Sequence, residues 1–235
     1  MFSAIAPRYD LLNRLLSLSI DQHWRRKVVS LLPPATNGLP VLDVCTGTGD
    51  LAILYARRYP GTRVVGADFC APMLEIARHK AEKAAVQVEF READALSLPF
   101  PDESFQATMV AFGLRNVADT DAGLRELARV TAPGGQVAVL EFSTPNVPLI
   151  RSGYLLYFQR VLPWIGQRIS PNRLEAYSYL PESVLAFPER EALARRMEAA
   201  GLRDVAIHRL TFGVATLYLG RKPTFEPQLA AAAAE

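Results

Sequence analysis

The chain has 235 residues, half of them hydrophobic and 21% charged, which is enough for one globular domain whose core needs no disulfide or metal staple. With 26 basic against 24 acidic residues the formal net charge is only +2, which argues against a nucleic-acid binder held mainly by phosphate electrostatics. Two cysteines make no disulfide framework, no His/Cys cluster has zinc-ligand spacing, and neither a signal peptide nor an apolar run of about 18 residues is seen, so an intracellular chain without metal or membrane span is expected.

In chain order, Leu11, Leu12, Leu15, Leu16 and Leu18, then Trp24, Val28, Val29 and Leu32, recur at mostly helical spacing, and Pro33-Pro34 ends that segment. From about residue 40 short apolar runs alternate with longer amphipathic ones. Strands are predicted at 41–44, 63–67, 86–90, 105–110 and 136–142, with helices near 50–59, 71–84 and 120–131. Such alternation implies a parallel sheet covered on both faces, with binding loops at the carboxyl ends of its strands. The pattern breaks at Pro145 and resumes near Glu189. A helix at 189–200 stops at Gly201, and strands near 203–210 and 213–221 lie so close in sequence that they should pair antiparallel. The whole chain, 1–235, is read as a single domain with an N-terminal helical lid at 1–34, a helical insertion at 145–188 and a disordered tail at 226–235.

After the first strand comes Asp43-Val44-Cys45-Thr46-Gly47-Thr48-Gly49-Asp50-Leu51-Ala52. Gly47-Thr48-Gly49-Asp50-Leu51-Ala52 alone fits the weak G-x-G-x-x-A form of a dinucleotide fingerprint. Asp43 separates the readings, because a carboxylate there repels a pyrophosphate and attracts a ligand carrying an ammonium and a sulfonium. The loop therefore favours S-adenosyl-L-methionine over NAD. Asp68, closing the second strand, suits ribose hydroxyls, with a helix N-cap as the lesser reading. Asp94 and the Ala95 amide, after the third strand, could read an adenine edge or, taken alone, form an ordinary turn. Three acidic positions after three successive strands weigh more than any one of them.

Tyr9-Asp10-Leu11-Leu12-Asn13 through Ser17 to Trp24, and Arg129-Val130-Thr131-Ala132-Pro133-Gly134-Gly135 through Leu140-Glu141-Phe142-Ser143, resemble the two signatures of the quinone C-methyltransferases of menaquinone and ubiquinone biosynthesis. Leu98-Pro99-Phe100-Pro101-Asp102 and Phe112-Gly113-Leu114-Arg115-Asn116-Val117 are similar to further segments of that family, so the resemblance runs from residue 2 to about 222. It departs at Asp21, Ala111 and Ala132, where many members carry His, Ser and Lys, and the chain opens almost directly on Phe2 without the usual leader. The resemblance implies a Rossmann-like, doubly wound α/β sheet of seven strands, mostly parallel with the last strand antiparallel. It assigns the cofactor S-adenosyl-L-methionine to Thr48, Asp68, Asp94 and Ala95, with Asp43, Gly47 and Gly49 forming the surrounding loop.

The implied reaction is transfer of a methyl group to a ring carbon of a demethylated isoprenoid quinol, demethylmenaquinol above all. Ring methylation profits from a phenolate next to the carbon that reacts. Arg115 would stabilise that phenolate or orient a water that takes the proton, Asn116 would hydrogen-bond a quinol oxygen, and Tyr9 would fold over the site from the N-terminal helix. The insertion is rich in aromatic and aliphatic residues from Leu149 to Ile165, which helps to place the chain's apolar excess, a mean hydropathy of +0.09. It would cap the sheet edge or line a channel for the isoprenoid tail, with Arg151, Arg160 and Arg168 toward lipid headgroups. The expected setting is the cytoplasm, peripheral at the inner membrane face, with transient membrane contact, no nucleic acid, and a homodimer as one form. The benzoquinol reaction, a nicotinamide-dependent oxidoreductase and a silent cofactor-binding scaffold are the alternatives.

Overall fold

The computed structural model describes residues 17, 19–34, 37–145, 147–157 and 183–224. Helix α1 (Asp21–Leu31) precedes β1 (Val41–Val44), α2 (Asp50–Arg58), β2 (Val64–Asp68), α3 (Ala71–Lys83) and β3 (Glu89–Glu92). Then follow β4 (Phe105–Ala111), a 3₁₀ turn at Leu114–Asn116, α4 (Thr120–Val130), β5 (Thr131–Phe142) and α5 (Pro148–Leu156). The chain returns through α6 (Glu191–Ala199) to β6 (Arg203–Leu210) and β7 (Ala215–Arg221).

The seven strands form one sheet in the order β3-β2-β1-β4-β5-β7-β6, with β7 antiparallel to both its neighbours. This is the expected doubly wound, mostly parallel sheet. Every residue of β1 and β2 is buried, as continuous apolar strands require when helices cover both faces. Alternate residues sort to opposite layers: Val41, Met109 and Leu140 pack with α1, α2 and α3, while Leu42, Val110 and Val139 pack with α4 and α6. The chain moves outward from β1 to β3 and then returns to β4 beside β1. The carboxyl ends of β1 and β4 therefore part around a crevice, which is where ligands bind in such sheets.

Two strand expectations need correction. The third strand runs Glu89–Glu92 and not 86–90. Val86 belongs to the end of α3: its amide donates to the Ala81 carbonyl at 3.1 Å and the Ala85 amide to Glu82 at 2.9 Å, a Schellman closure with Ala85 left-handed at φ 53°. Apolar alternation at Val86 and Val88 thus reports packing after a helix cap. The fifth strand begins at Thr131, ahead of the expected 136, because Thr131 pairs with Phe105 across a bulge before the regular register starts at Gln136. Of the expected N-terminal lid, α1 is described from Asp21; residues 1–16 and the tail 226–235 lie outside the described residues, as does 158–182 of the insertion.

Candidate active site

The loop after β1 is built on two left-handed glycines, Gly47 at φ 56° and Gly49 at φ 81°. A Cβ on Gly49 would stand 3.0 Å from both the Ala77 Cβ and the Phe90 ring, so glycine meets two demands there, conformation and space. Asp43 braces the loop from beneath. Its Oδ2 accepts hydrogen bonds from the Thr46 hydroxyl and from the Ala52 amide at 3.1 Å in the first turn of α2. Burial pushes its carboxyl from the ordinary 3.8 up to about 7, although these hydrogen bonds and the Arg25 charge pull the other way.

Asp68 links neighbouring strand ends. Its Oδ2 accepts the Gly47 amide at 2.8 Å and its Oδ1 the Cys70 amide at 2.9 Å, while burial raises its pKa. One carboxylate thus fixes the turn into α3 and still borders open space. Asp94, exposed beyond β3, accepts the Leu96 amide at 2.9 Å in an Asx turn. Between these loops and the end of β4 lies a cleft of about 300 Å³.

Gly47, Asp68, Asp94, Ala95 and Asn116 line this cleft, so five of the sequence-derived residues meet there. Its described lining includes two carboxylates and no Lys, Arg or His. A dinucleotide's diphosphate would find no counter-charge in such a cleft, whereas a sulfonium would. A larger groove of about 1050 Å³ lies at the amino ends of β2 and β3, bordered by Arg57, Arg63 and Arg78, and none of the strand-end carboxylates reaches it.

Asp43, Thr48, Gly49 and Arg115 are not among the lining residues. Asp43 and Gly49 support the loop from behind. The Thr48 hydroxyl accepts a hydrogen bond from Lys80 Nζ at 3.0 Å, which ties the loop to α3. Tyr9 lies outside the described residues.

Arg115 enters a buried ion pair. Its Nη1 donates to Glu141 Oε2 at 2.8 Å and to the Phe112 carbonyl at 2.7 Å, while its backbone amide donates to Glu141 Oε1 at 3.2 Å. The two side chains are only 8% and 2% exposed. These bonds leave Arg115 Nε buried and unpaired, and the next residue presents a second orphan, Asn116 Oδ1. A donor and an acceptor on consecutive residues, both buried without protein partners, are a costly arrangement unless a ligand or water completes it.

Beside them stand aromatic rings. Phe112 and Phe142 lie 4.5 Å apart between centroids, Trp24 of α1 lies 6.0 Å from each, and the Arg25 guanidinium covers Phe112 at 5.3 Å. Trp24 is fixed by its indole N–H, which donates to Thr211 Oγ1 at 2.8 Å. Phe112 and Cys45 adopt φ 59° and 54° at the ends of β4 and β1, strained values for side-chain-bearing residues at a cleft both of them line. The strand ends press together: a Cβ on Gly113 would fall 2.3 Å from the Cys45 Cβ. Burial, helped by the charges of Asp68 and Asp43, pushes the Cys45 thiol far up, so it stays protonated.

The roles of Glu141, Phe112 and the Trp24–Arg25 pair were missed in the sequence. Glu141 carried a signal, because a lone charge in the apolar run of β5 demands a buried partner. Cys45 and Phe112 carried none, since a left-handed residue of ordinary type leaves no mark in sequence.

The family model described as "ubiE/COQ5 methyltransferase family" matches residues 1–222. A demethylmenaquinone methyltransferase of Thermus thermophilus is 56% identical over 225 residues, covering 95% of this chain and 100% of its own length. One from Deinococcus radiodurans is 51% identical over 222 residues, covering 94% and 91%. The ubiquinone/menaquinone biosynthesis C-methyltransferase UbiE of Geobacter sulfurreducens is 46% identical over 225 residues, covering 94% and 87%. Among solved structures, a SAM-dependent methyltransferase of Thermotoga maritima superposes with a TM-score of 0.66 at 18% identity, covering 94% of this chain and 97% of that one. Phosphoethanolamine N-methyltransferase 2 of Haemonchus contortus, in complex with S-adenosyl-L-methionine, gives 0.62 at 15% identity, covering 86% and 53%. At such identities these two structures speak for the fold alone.

Proposed function

The chain belongs to the ubiE/COQ5 methyltransferase family, and we propose that it transfers a methyl group from S-adenosyl-L-methionine to a ring carbon of a demethylated isoprenoid quinol, converting demethylmenaquinol to menaquinol. The naphthoquinol is preferred over the benzoquinol because two relatives above 50% identity, those of Thermus thermophilus and Deinococcus radiodurans, are both named demethylmenaquinone methyltransferases. The nicotinamide alternative is disfavoured by the family and by a cleft lining with two carboxylates and no described cation.

S-adenosyl-L-methionine, when bound, supplies an electrophilic methyl group on a sulfonium. Asp68 would accept the ribose hydroxyls, and Asp94 with the Ala95 amide would hold the adenine edge. Gly47 would keep the loop backbone close to the ligand, while Gly49, Thr48 and Asp43 maintain that loop's shape.

The observation that carries the reading is the pair of orphaned atoms after β4, Arg115 Nε and Asn116 Oδ1. A quinol hydroxyl would donate to Asn116, which lines the cleft, and the buried Arg115 charge directly behind it would favour the phenolate at the neighbouring oxygen. An arginine stays protonated, so Arg115 stabilises the anion and the proton leaves to water. The phenolate raises electron density at the neighbouring ring carbon, and that carbon's own proton is lost once the new C–C bond has formed. Phe112, which lines the cleft and is backed by Phe142 and Trp24, would flank the flat ring.

A substrate with an isoprenoid tail resides in a membrane, so the enzyme works in the cytoplasm in transient contact with the inner face. Among the described residues no helix is long and apolar enough to cross a membrane. The test is incubation with methyl-labelled S-adenosyl-L-methionine and a short-chain demethylmenaquinol. Label in the ring is expected, and Asn116→Ala should lower kcat/KM by about 10²-fold. A protein that binds NADH and not S-adenosylhomocysteine, or leaves the ring unlabelled, would overturn the proposal.

A further inference from the structure

The described chain exposes five large apolar side chains: Phe69, Val147, Leu156, Leu185 and Phe212. All five stand at one end of the sheet. Phe69 directly follows β2, and Val147 and Leu156 bracket α5, which is reached from the end of β5. Leu185 follows Val184, which packs on Phe142, Tyr154 and Tyr157 at that same end. Phe212 occupies the turn from β6 to β7, where the Gly213 carbonyl accepts a hydrogen bond from Ser143 Oγ just beyond β5. From β2 to β6 this rim crosses five interstrand steps, about 24 Å at the usual spacing. It is also the end on which the cleft opens, and Phe69 belongs to both.

Phe212 is the most informative member. It is 71% exposed and sits at φ 57°, a strained conformation for a bulky side chain that packing does not offset. The turn is nevertheless held in place, by Trp24 bonding to Thr211 and by Ser143 bonding to Gly213. Exposed Arg209 and Arg151 flank the rim on β6 and α5. A fixed turn that displays an aromatic ring beside cations matches the chemistry of an anionic lipid surface.

We propose that this rim is a membrane-docking surface. It seats Phe212 and the ends of α5 in the headgroup region of an anionic bilayer, so that the cleft mouth faces the level at which a quinol ring emerges. A second copy of the chain seated on the rim would close the cleft to substrate, so the bilayer is the favoured occupant. The purpose of the surface rests on the quinol reading; its existence is tested separately.

The test uses the full chain with vesicles of phosphatidylglycerol and phosphatidylcholine, comparing wild type with Phe212→Asn and with Phe212→Asn/Leu156→Asn. Asparagine accepts the left-handed conformation, so F212N should keep or raise the urea midpoint while vesicle binding falls about tenfold. Turnover of a water-dispersed short-chain demethylmenaquinol should stay unchanged, and turnover of a long-tailed one in vesicles should fall by a similar factor. Wild type that fails to sediment with vesicles, variants that bind them equally well, or a halved mass for F212N by light scattering would overturn the proposal. Absent short-chain turnover would instead defeat the quinol reading and leave the vesicle result standing on its own.

Discussion

Replacing Glu141 by Gln tests whether the loop that carries Arg115 and Asn116 is held by charge. The carboxylate is 2% exposed and accepts from Arg115 Nη1, from the Arg115 amide and, at 3.3 Å, from the Phe142 amide. Removing one partner of a buried pair strands the other charge and typically costs about 3–5 kcal/mol. Glutamine keeps the volume and one acceptor oxygen, so about 3 kcal/mol is expected for Glu141→Gln and about 4 kcal/mol or more for Glu141→Ala. Urea unfolding at constant slope measures the loss. S-adenosylhomocysteine should still bind within about threefold, because Asp68 and Asp94 are untouched, whereas kcat should fall by at least about tenfold as the orphan pair loses its aim. The double variant Arg115→Met/Glu141→Leu should regain most of the stability, since a matched apolar pair leaves no buried charge, and none of the activity. A Glu141→Gln protein with the wild-type midpoint, or a double variant as unstable as the sum of the singles, would refute the buried-pair account.

Raising the pH from 5 to 8 should destabilise wild type more than Asp43→Asn in urea unfolding. Folded Asp43 keeps its proton up to about pH 7, the unfolded chain releases it near 3.8, and stability therefore falls across that window and levels off above it. Cys45 should react with iodoacetamide at pH 8 at least about tenfold more slowly than in urea, as read by intact mass, because its thiol stays protonated in the fold. Ala85→Gly should raise the urea midpoint by an amount equivalent to about 0.5–1 kcal/mol, since φ 53° strains alanine; a lower midpoint would contradict the Schellman cap.

The sheet was legible because buried parallel strands write continuous apolar runs, as in β1 and β4, and amphipathic helices separate them. The third strand was misplaced by a side effect of the same signal. Val86 is apolar to close a helix cap, and Val88 packs against the same core, so their alternation with Phe90 mimicked a strand. In the site, Asp68, Asp94, Gly47 and Asn116 were legible because strand-end positions in this topology all face one crevice. The inward partners were not. Whether Thr48 turns to the ligand or to Lys80, and whether Arg115 turns to Glu141, depends on side chains more than 20 residues away in sequence, which spacing within a motif does not encode.

The arrangement of charge explains how one crevice can serve two unlike ligands. The end of β2 and the loop after β3 supply the carboxylates Asp68 and Asp94, with Asp43 of β1 beneath them, while the other side supplies Phe112, backed by Phe142 of β5 and Trp24 of α1. The seam between these halves is the contact of Cys45 with Gly113, where the left-handed Cys45 and Phe112 let two strand ends meet without a side chain between them. In the proposed reaction a methyl group crosses that seam, from a cation held on the acidic side to a ring held on the aromatic side. The Cys45 thiol stands at that seam, and burial, helped by the carboxylate charges around it, keeps it protonated, so that it does not compete for the methyl group.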